Sequence, residues 1–362
     1  MSKFCLAPFR GYYQGFEGKV SVCCQIPVLV DSIDDPAVEK LRQDFLSGKI
    51  PEECASCTDK IRHDTTRLCG GGTATDYKPV FLDLLWSNKC NFACMGCTPH
   101  LSSTIVDKYQ TATDIANPFK DKGKDKRWTA DFDIEWILDN ADTITNIHLN
   151  GGEPFIQEGF YNLLNGLIDR KATHIGIWSH TNGSITKYKG RDIVDLLRQF
   201  NKPAIIMSHE GPGEQGEYIR WGMNTDVWVK NLKRFQDAGI RVDVQFSYNV
   251  FNALKITEIA DFYDEHNVRA TMSVWDKPRC YSAQYLRSNV QLYLWALKLL
   301  EDNKGRFGAM DYTYDYMMKE VPDLHQLRMQ FCESVSEWDR LRVTDFNETF
   351  PELKSLYYGI ST

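Results

Sequence analysis

The sequence predicts an α/β protein built on a parallel sheet, and three observations carry that reading. Short apolar runs recur at 80–86, 144–149, 174–179, 204–208, 242–248 and 270–274. Stretches with helical periodicity follow most of them, at 160–170, 193–200, 227–238, 256–266 and 291–301. Short strands alternating with helices of this length imply βαβ units with right-handed crossovers. Polar segments rich in Cys, Gly and Asn stand directly after several of the apolar runs, the place where barrel enzymes keep their active sites.

Composition narrows the class. A chain of 362 residues can bury one large core with appendages. Hydrophobic residues make up 43% and aromatic residues 12%, which sets the chain apart from a disordered one. No apolar stretch reaches the length of a bilayer span, and residues 1–13 lack the apolar core of a secretory signal, so a cytoplasmic location is expected. The formal charge of −7 exerts no general pull on nucleic acid or anionic membranes. Eleven cysteines at metal-like spacings argue against a secreted disulfide framework.

The first apolar run ends in Lys89-Cys90-Asn91-Phe92-Ala93-Cys94-Met95-Gly96-Cys97. Thiolates are soft ligands for iron–sulfur clusters or zinc. Ordinary clusters and structural zinc want four protein ligands, so three close cysteines suggest a cluster with one iron left open. A zinc site completed by His100 or another residue is the alternative. The second run leads into Asn150-Gly151-Gly152-Glu153-Pro154 and the third into Thr181-Asn182-Gly183. The fourth opens Met207-Ser208-His209-Glu210-Gly211, followed by Tyr218-Ile219-Arg220.

These four motifs, in this order, resemble those of the radical S-adenosylmethionine (SAM) superfamily over roughly residues 79–280. The resemblance implies a partial (β/α)6 barrel of the TIM type. It also implies a [4Fe–4S] cluster on Cys90, Cys94 and Cys97 whose open iron binds SAM. Gly151, Gly152 and Glu153 would then receive the SAM amino group, Glu153 through its carboxylate or its backbone carbonyl. Asn182 would belong to the same site, Ser208 would meet a ribose hydroxyl, and Arg220 would pair with the SAM carboxylate. Asn249 and Asn252 are further candidates to face SAM. Glycines at 151 and 152 would let SAM approach the backbone closely. The superfamily places an aromatic residue before the last cysteine, against adenine. Here that residue is Gly96, and Met95 is the candidate for the contact. A dinucleotide reading of Gly211-Pro212-Gly213-Glu214-Gln215-Gly216 competes, but it sits at the fourth strand and not at the opening of a first βαβ unit.

A second cysteine set lies in the first 75 residues: Cys5, Cys23, Cys54 and Cys57, with Cys24 competing against Cys23. It resembles the SPASM or twitch auxiliary-cluster modules, although those usually follow the barrel. The resemblance implies an auxiliary [4Fe–4S] cluster. A four-cysteine zinc knuckle is the alternative. The resulting division is an auxiliary module at 1–75, the core barrel at 76–302 and a C-terminal helical extension at 303–362. Gly70-Gly71-Gly72 reads as the first boundary, with Cys69 just outside the set, and the charged run 120–127 reads as a solvated loop. Cys280, after the sixth strand, is a candidate hydrogen donor or an inert thiol, and Cys332 carries the same ambiguity.

The expected activity is reductive cleavage of SAM to a 5′-deoxyadenosyl radical that abstracts hydrogen from a substrate, a peptide or protein residue being the leading class. The alternatives are a dehydrogenase of a small polyol or nucleotide-like molecule and a non-catalytic iron–sulfur electron carrier. An external one-electron donor such as flavodoxin or ferredoxin is implied.

Overall fold

The structure, a computed structural model, describes residues 4–26, 29–58, 68–70, 74–109 and 126–357. Gly71, Gly72 and most of the charged run lie outside the described residues. The strands are β1 (Gly11–Gln14), β2 (Val20–Ser21), β3 (Phe81–Leu85), β4 (Asn146–Asn150), β5 (Gly176–Thr181), β6 (Lys187–Tyr188), β7 (Arg191–Asp192), β8 (Ala204–Ser208), β9 (Arg241–Tyr248) and β10 (Arg269–Val274). Eight of them form one sheet in the order β10-β9-β8-β5-β4-β3-β1-β2, and β6 pairs only with β7. In this sheet every pairing from β1 through β3 to β10 is parallel and β2 runs antiparallel to β1, and the β6–β7 pair is antiparallel too. The two edges are not paired to each other, so the sheet is an open, partial barrel of α/β class.

The six strands expected from the apolar runs are β3, β4, β5, β8, β9 and β10, neighbours in space in chain order. Helices Glu158–Asp169, Ile193–Leu197, Thr225–Asp237 and Ile256–Glu265 cross back between them. Asn224 starts one such helix by accepting from the Val227 amide at 3.0 Å, a capping bond that satisfies an otherwise orphan donor. Ile147, Leu149, Ile177 and Ile205 are wholly buried, as the outward positions of strands covered by helices should be.

The chain's two ends depart from a simple three-part division. The N-terminal region keeps its own small core, including Leu6, Phe9, Val38, Leu41 and Phe45. Yet β1 pairs in parallel with β3 (Tyr12 opposite Leu82, Tyr13 opposite Asp83), so this region extends the barrel sheet and is joined to it by backbone bonds. The helices after residue 303 share the barrel's own core through Phe331, Val335, Trp338, Phe346 and Phe350. Among the described residues no helix is long and apolar enough to cross a membrane.

Candidate active site

The loop 90–97 leaves the end of β3 and is held on three sides. The Ala93 and Met95 amides donate to the carbonyls of Trp221 and Ile219, both at 2.9 Å. Ser102 and Thr104 hydroxyls donate to the carbonyls of Phe92 and Cys90 at 2.6 and 2.7 Å. Asn182, at the end of β5, donates to Asn91 Oδ1 at 2.9 Å and lies 4.0 Å from the Cys90 sulfur. These bonds gather residues from several strands onto one loop.

The result is a cavity of about 300 Å³ lined by Cys90, Cys94, Cys97, Gly151, Gly152, Asn182, Ser208 and Arg220, together with His180 and Thr181. Among the described residues no three His, Cys, Asp or Glu side chains are drawn into a closed metal-ligand group. Burial raises the pKa of Cys90 and Cys94 and pushes Cys97 up to about 12. These thiols are therefore protonated until a metal displaces the protons. Burial opposes the Arg220 charge, but Cys94 and Glu210 outweigh it, and its pKa is raised. Arg220 pairs with Glu210 at 2.9 Å, and its Nε is buried with no hydrogen-bond partner.

Three sequence expectations change in detail. The Glu153 carboxylate faces inward: it accepts from the Phe155 amide (3.1 Å), the Thr181 hydroxyl (2.8 Å) and the Asn182 amide (2.7 Å). Its carboxylate is thus spent within the protein, and its backbone carbonyl, the other route to the SAM amino group, accepts from the Ile156 amide at 3.3 Å. Gly152 is needed by the protein itself, because a Cβ there would stand 2.4 Å from the Lys89 carbonyl oxygen. Met95 is buried in the core and does not line the cavity. Beside it, a Cβ on Gly96 would stand 2.3 Å from the Trp275 ring, which fills the space an aromatic residue at 96 would need.

Other candidates fall outside the cavity. Asn249 and Asn252 are buried and spent on backbone: Asn249 Oδ1 accepts from the Phe251 amide, and Asn252 donates to the carbonyls of Glu210 and Ser247. His100 of the zinc reading does not line it. The glycine-rich segment 211–216 makes the turn into the helix Gly213–Ile219, whose end delivers Arg220. Cys280 is buried away from the cavity, and burial pushes its thiol up to about 12. Cys332 is buried against the Tyr357 carbonyl at 3.4 Å. In metal-free protein, alkylation is expected to reach exposed Cys24 well before Cys280, read by peptide mass spectrometry. Early labelling of Cys280 would return it to the candidate donors.

In the N-terminal set Cys5 and Cys54 are buried, Cys23 and Cys57 half-buried and Cys24 exposed. Burial pushes the Cys23 thiol up to about 12, with neighbouring Cys24, Cys5 and Cys54 adding to the effect. Burial raises the thiol of buried Cys69 as well, with Cys5 adding to the effect.

Sequence reasoning also missed a polar chain across the sheet. Asp83, His148 and Trp178 are register partners on β3, β4 and β5. His148 Nδ1 lies 2.9 Å from Asp83, its Nε2 lies 2.8 Å from His180 Nδ1, and its ring stacks on Trp178 with centroids 3.8 Å apart. In the His148–His180 contact one ring nitrogen donates and the other accepts, and His180 lines the cavity. Burial lowers His180 to about 4, with His148 adding to the effect, so it is neutral near pH 7. The signal was there: His148 stands between Ile147 and Leu149, and His180 lies two residues after Trp178 on the next strand.

The radical SAM superfamily profile matches residues 84–265, half of the chain. Comparison with curated proteins finds no match. Among solved structures, native anSMEcpe with bound AdoMet is 17% identical at a TM-score of 0.44, covering 62% of this chain and 59% of that one. The chain thus spans less than two thirds of that protein's length. Streptococcus suis SuiB bound to S-adenosylmethionine is 16% identical at 0.43, covering 79% and 63%. SuiB bound to its precursor peptide SuiA is 17% identical at 0.40, covering 89% and 68%. By the profile match over half its length, this chain belongs to the radical SAM superfamily.

Proposed function

We propose that the protein is a radical SAM enzyme whose cavity holds a [4Fe–4S] cluster on Cys90, Cys94 and Cys97 and SAM beside it. The observation that carries this reading is the shared lining: three thiols, the Gly151–Gly152 backbone, Asn182, Ser208 and Arg220 converge from five separate segments on one cavity. The residues fit the groups, since Arg220 presents a buried Nε without a partner and thiols are the donors iron–sulfur clusters use. When bound, cluster and SAM would supply one-electron cleavage to methionine and a 5′-deoxyadenosyl radical that takes hydrogen from substrate. Arg220 would hold the SAM carboxylate by its guanidinium fork, with Glu210 keeping the fork oriented. Arg220→Ala is expected to weaken SAM binding to the reconstituted protein about 10- to 100-fold by equilibrium dialysis. Unchanged affinity would remove Arg220 from the SAM site.

The substrate we propose is a peptide or protein residue, on the resemblance of the N-terminal cysteines to auxiliary-cluster modules. Cys5, Cys23, Cys54 and Cys57 would then hold a second cluster, and a small one-electron donor such as flavodoxin would reduce the first. One observation favours the second reading, dehydrogenation of a polyol or nucleotide-like molecule. The neutral His180 ring at the cavity suits a substrate that must surrender an O–H or S–H proton. The deciding experiment is anaerobic turnover of reconstituted protein with SAM and dithionite. Formation of 5′-deoxyadenosine supports the enzyme readings. None from a fully iron-loaded protein would leave the electron-carrier alternative.

A further inference from the structure

Arg342, the last residue of the helix Leu324–Arg342, reaches back to the loop 90–97 from the far end of the chain. It is 4% exposed. Its Nη2 donates to the Ala93 carbonyl and its Nη1 to the Tyr218 carbonyl, the latter at 3.2 Å. The guanidinium lies 4.1 Å over the Trp338 ring, with Trp221 and Tyr109 also within 6 Å. Nε has no partner, and among the described residues no carboxylate forms an ion pair with this side chain. Asp339, on the same helix, is taken by the Tyr218 hydroxyl, the Thr344 hydroxyl and the Phe346 amide.

A cation buried this deeply is costly unless an anion compensates it. Arg220, which lines the cavity beside the same loop, is balanced by Glu210. The carbonyl that Arg342 grips, that of Ala93, belongs to the residue directly before Cys94. We propose that Arg342 is the fixed counter-charge of the Cys90–Cys94–Cys97 centre, tying its loop at the Ala93 carbonyl to the carbonyl of Tyr218 and raising its reduction potential. The inference rests on the reading that these cysteines bind an iron–sulfur cluster. Adding an electron makes such a centre more negative, and a cation fixed in a low-dielectric interior favours that state. The C-terminal helix would then be part of the redox site as well as a cover for the barrel.

The test uses full-length, reconstituted protein and two variants, Arg342→Gln and Arg342→Lys. Midpoint potential would be followed by electron paramagnetic resonance, using the signal that SAM perturbs, and iron loss to a chelator would be timed. R342Q is expected to titrate at a more negative potential and lose iron faster than wild type. R342K, keeping the charge but not the fork, is expected to recover the wild-type potential while still losing iron faster. An unshifted potential in R342Q, or an equal shift in both variants, would overturn the electrostatic role. If R342Q assembles no centre, R342K decides alone, by a wild-type or a shifted potential. If neither assembles one while both melt cooperatively, charge alone is insufficient and that role is overturned. The parent reading fails separately, if a Cys90, Cys94, Cys97 triple alanine variant keeps the same iron and the same signal.

Discussion

Replacing Cys90, Cys94 and Cys97 together by alanine is expected to remove about four irons per chain from the reconstituted protein and abolish 5′-deoxyadenosine formation. All three sulfurs border one cavity, and each is buried enough that its thiol is protonated without metal. Metal binding must therefore displace protons and be repaid by three strong iron–sulfur bonds at once, so no pair of the three should suffice. Cys5 and Cys54 lie in a separate small core with Cys23 packed against it, and a second cluster there should survive the change. A fall from about eight irons to about four would assign one cluster to each set. A fall from about four to none would leave the N-terminal set to zinc or to no metal.

The second large effect is expected at Glu153. Its carboxylate accepts from three buried donors and ties the end of β4 to the end of β5. Glu153→Ala strands those donors and should destabilise the fold by about 3 to 5 kcal/mol, read by denaturant unfolding. Glu153→Gln keeps shape but sets an amide N–H against one donor, for a loss of about 1 to 3 kcal/mol. Burial raises the folded-state carboxyl to about 7 from an ordinary 4.5, against the pull of its three donors. The folded state then holds its proton more tightly than the unfolded chain. The associated stability is fully present below about pH 4.5 and is lost as pH rises through about 7. Wild type should therefore lose stability relative to E153Q across that interval. A flat difference would show that the donors hold the carboxylate ionised throughout.

Much of the barrel was legible because its signals are local. The run at 204–208 is β8 to the residue, and the helix expected at 256–266 is Ile256–Glu265. Apolar runs and helical periods survive whatever packs on them. The N-terminal strand β1 left no such mark: Gly-Tyr-Tyr-Gln is four residues long, and its partner β3 lies some seventy residues away. The roles of Glu153 and Gly152 were half legible. Motif position located them, but only the loop at 87–89 and the ends of β4 and β5 show what the side chain or its absence is for.

By itself, then, the sequence determined the α/β class, the six core strands, the family and the segments that meet at the cavity. Periodicity and motif spacing are properties of neighbouring residues, and they are written along the chain. The tertiary structure alone decided that the first strand joins the barrel sheet, and that Asp83, His148 and His180 stand in one polar row across it. It also decided that Trp275 stands where an aromatic residue at 96 would, and that Arg342 reaches Ala93 across 249 positions. Those contacts depend on strand register and helix docking, which bring together residues whose local sequences carry no trace of one another.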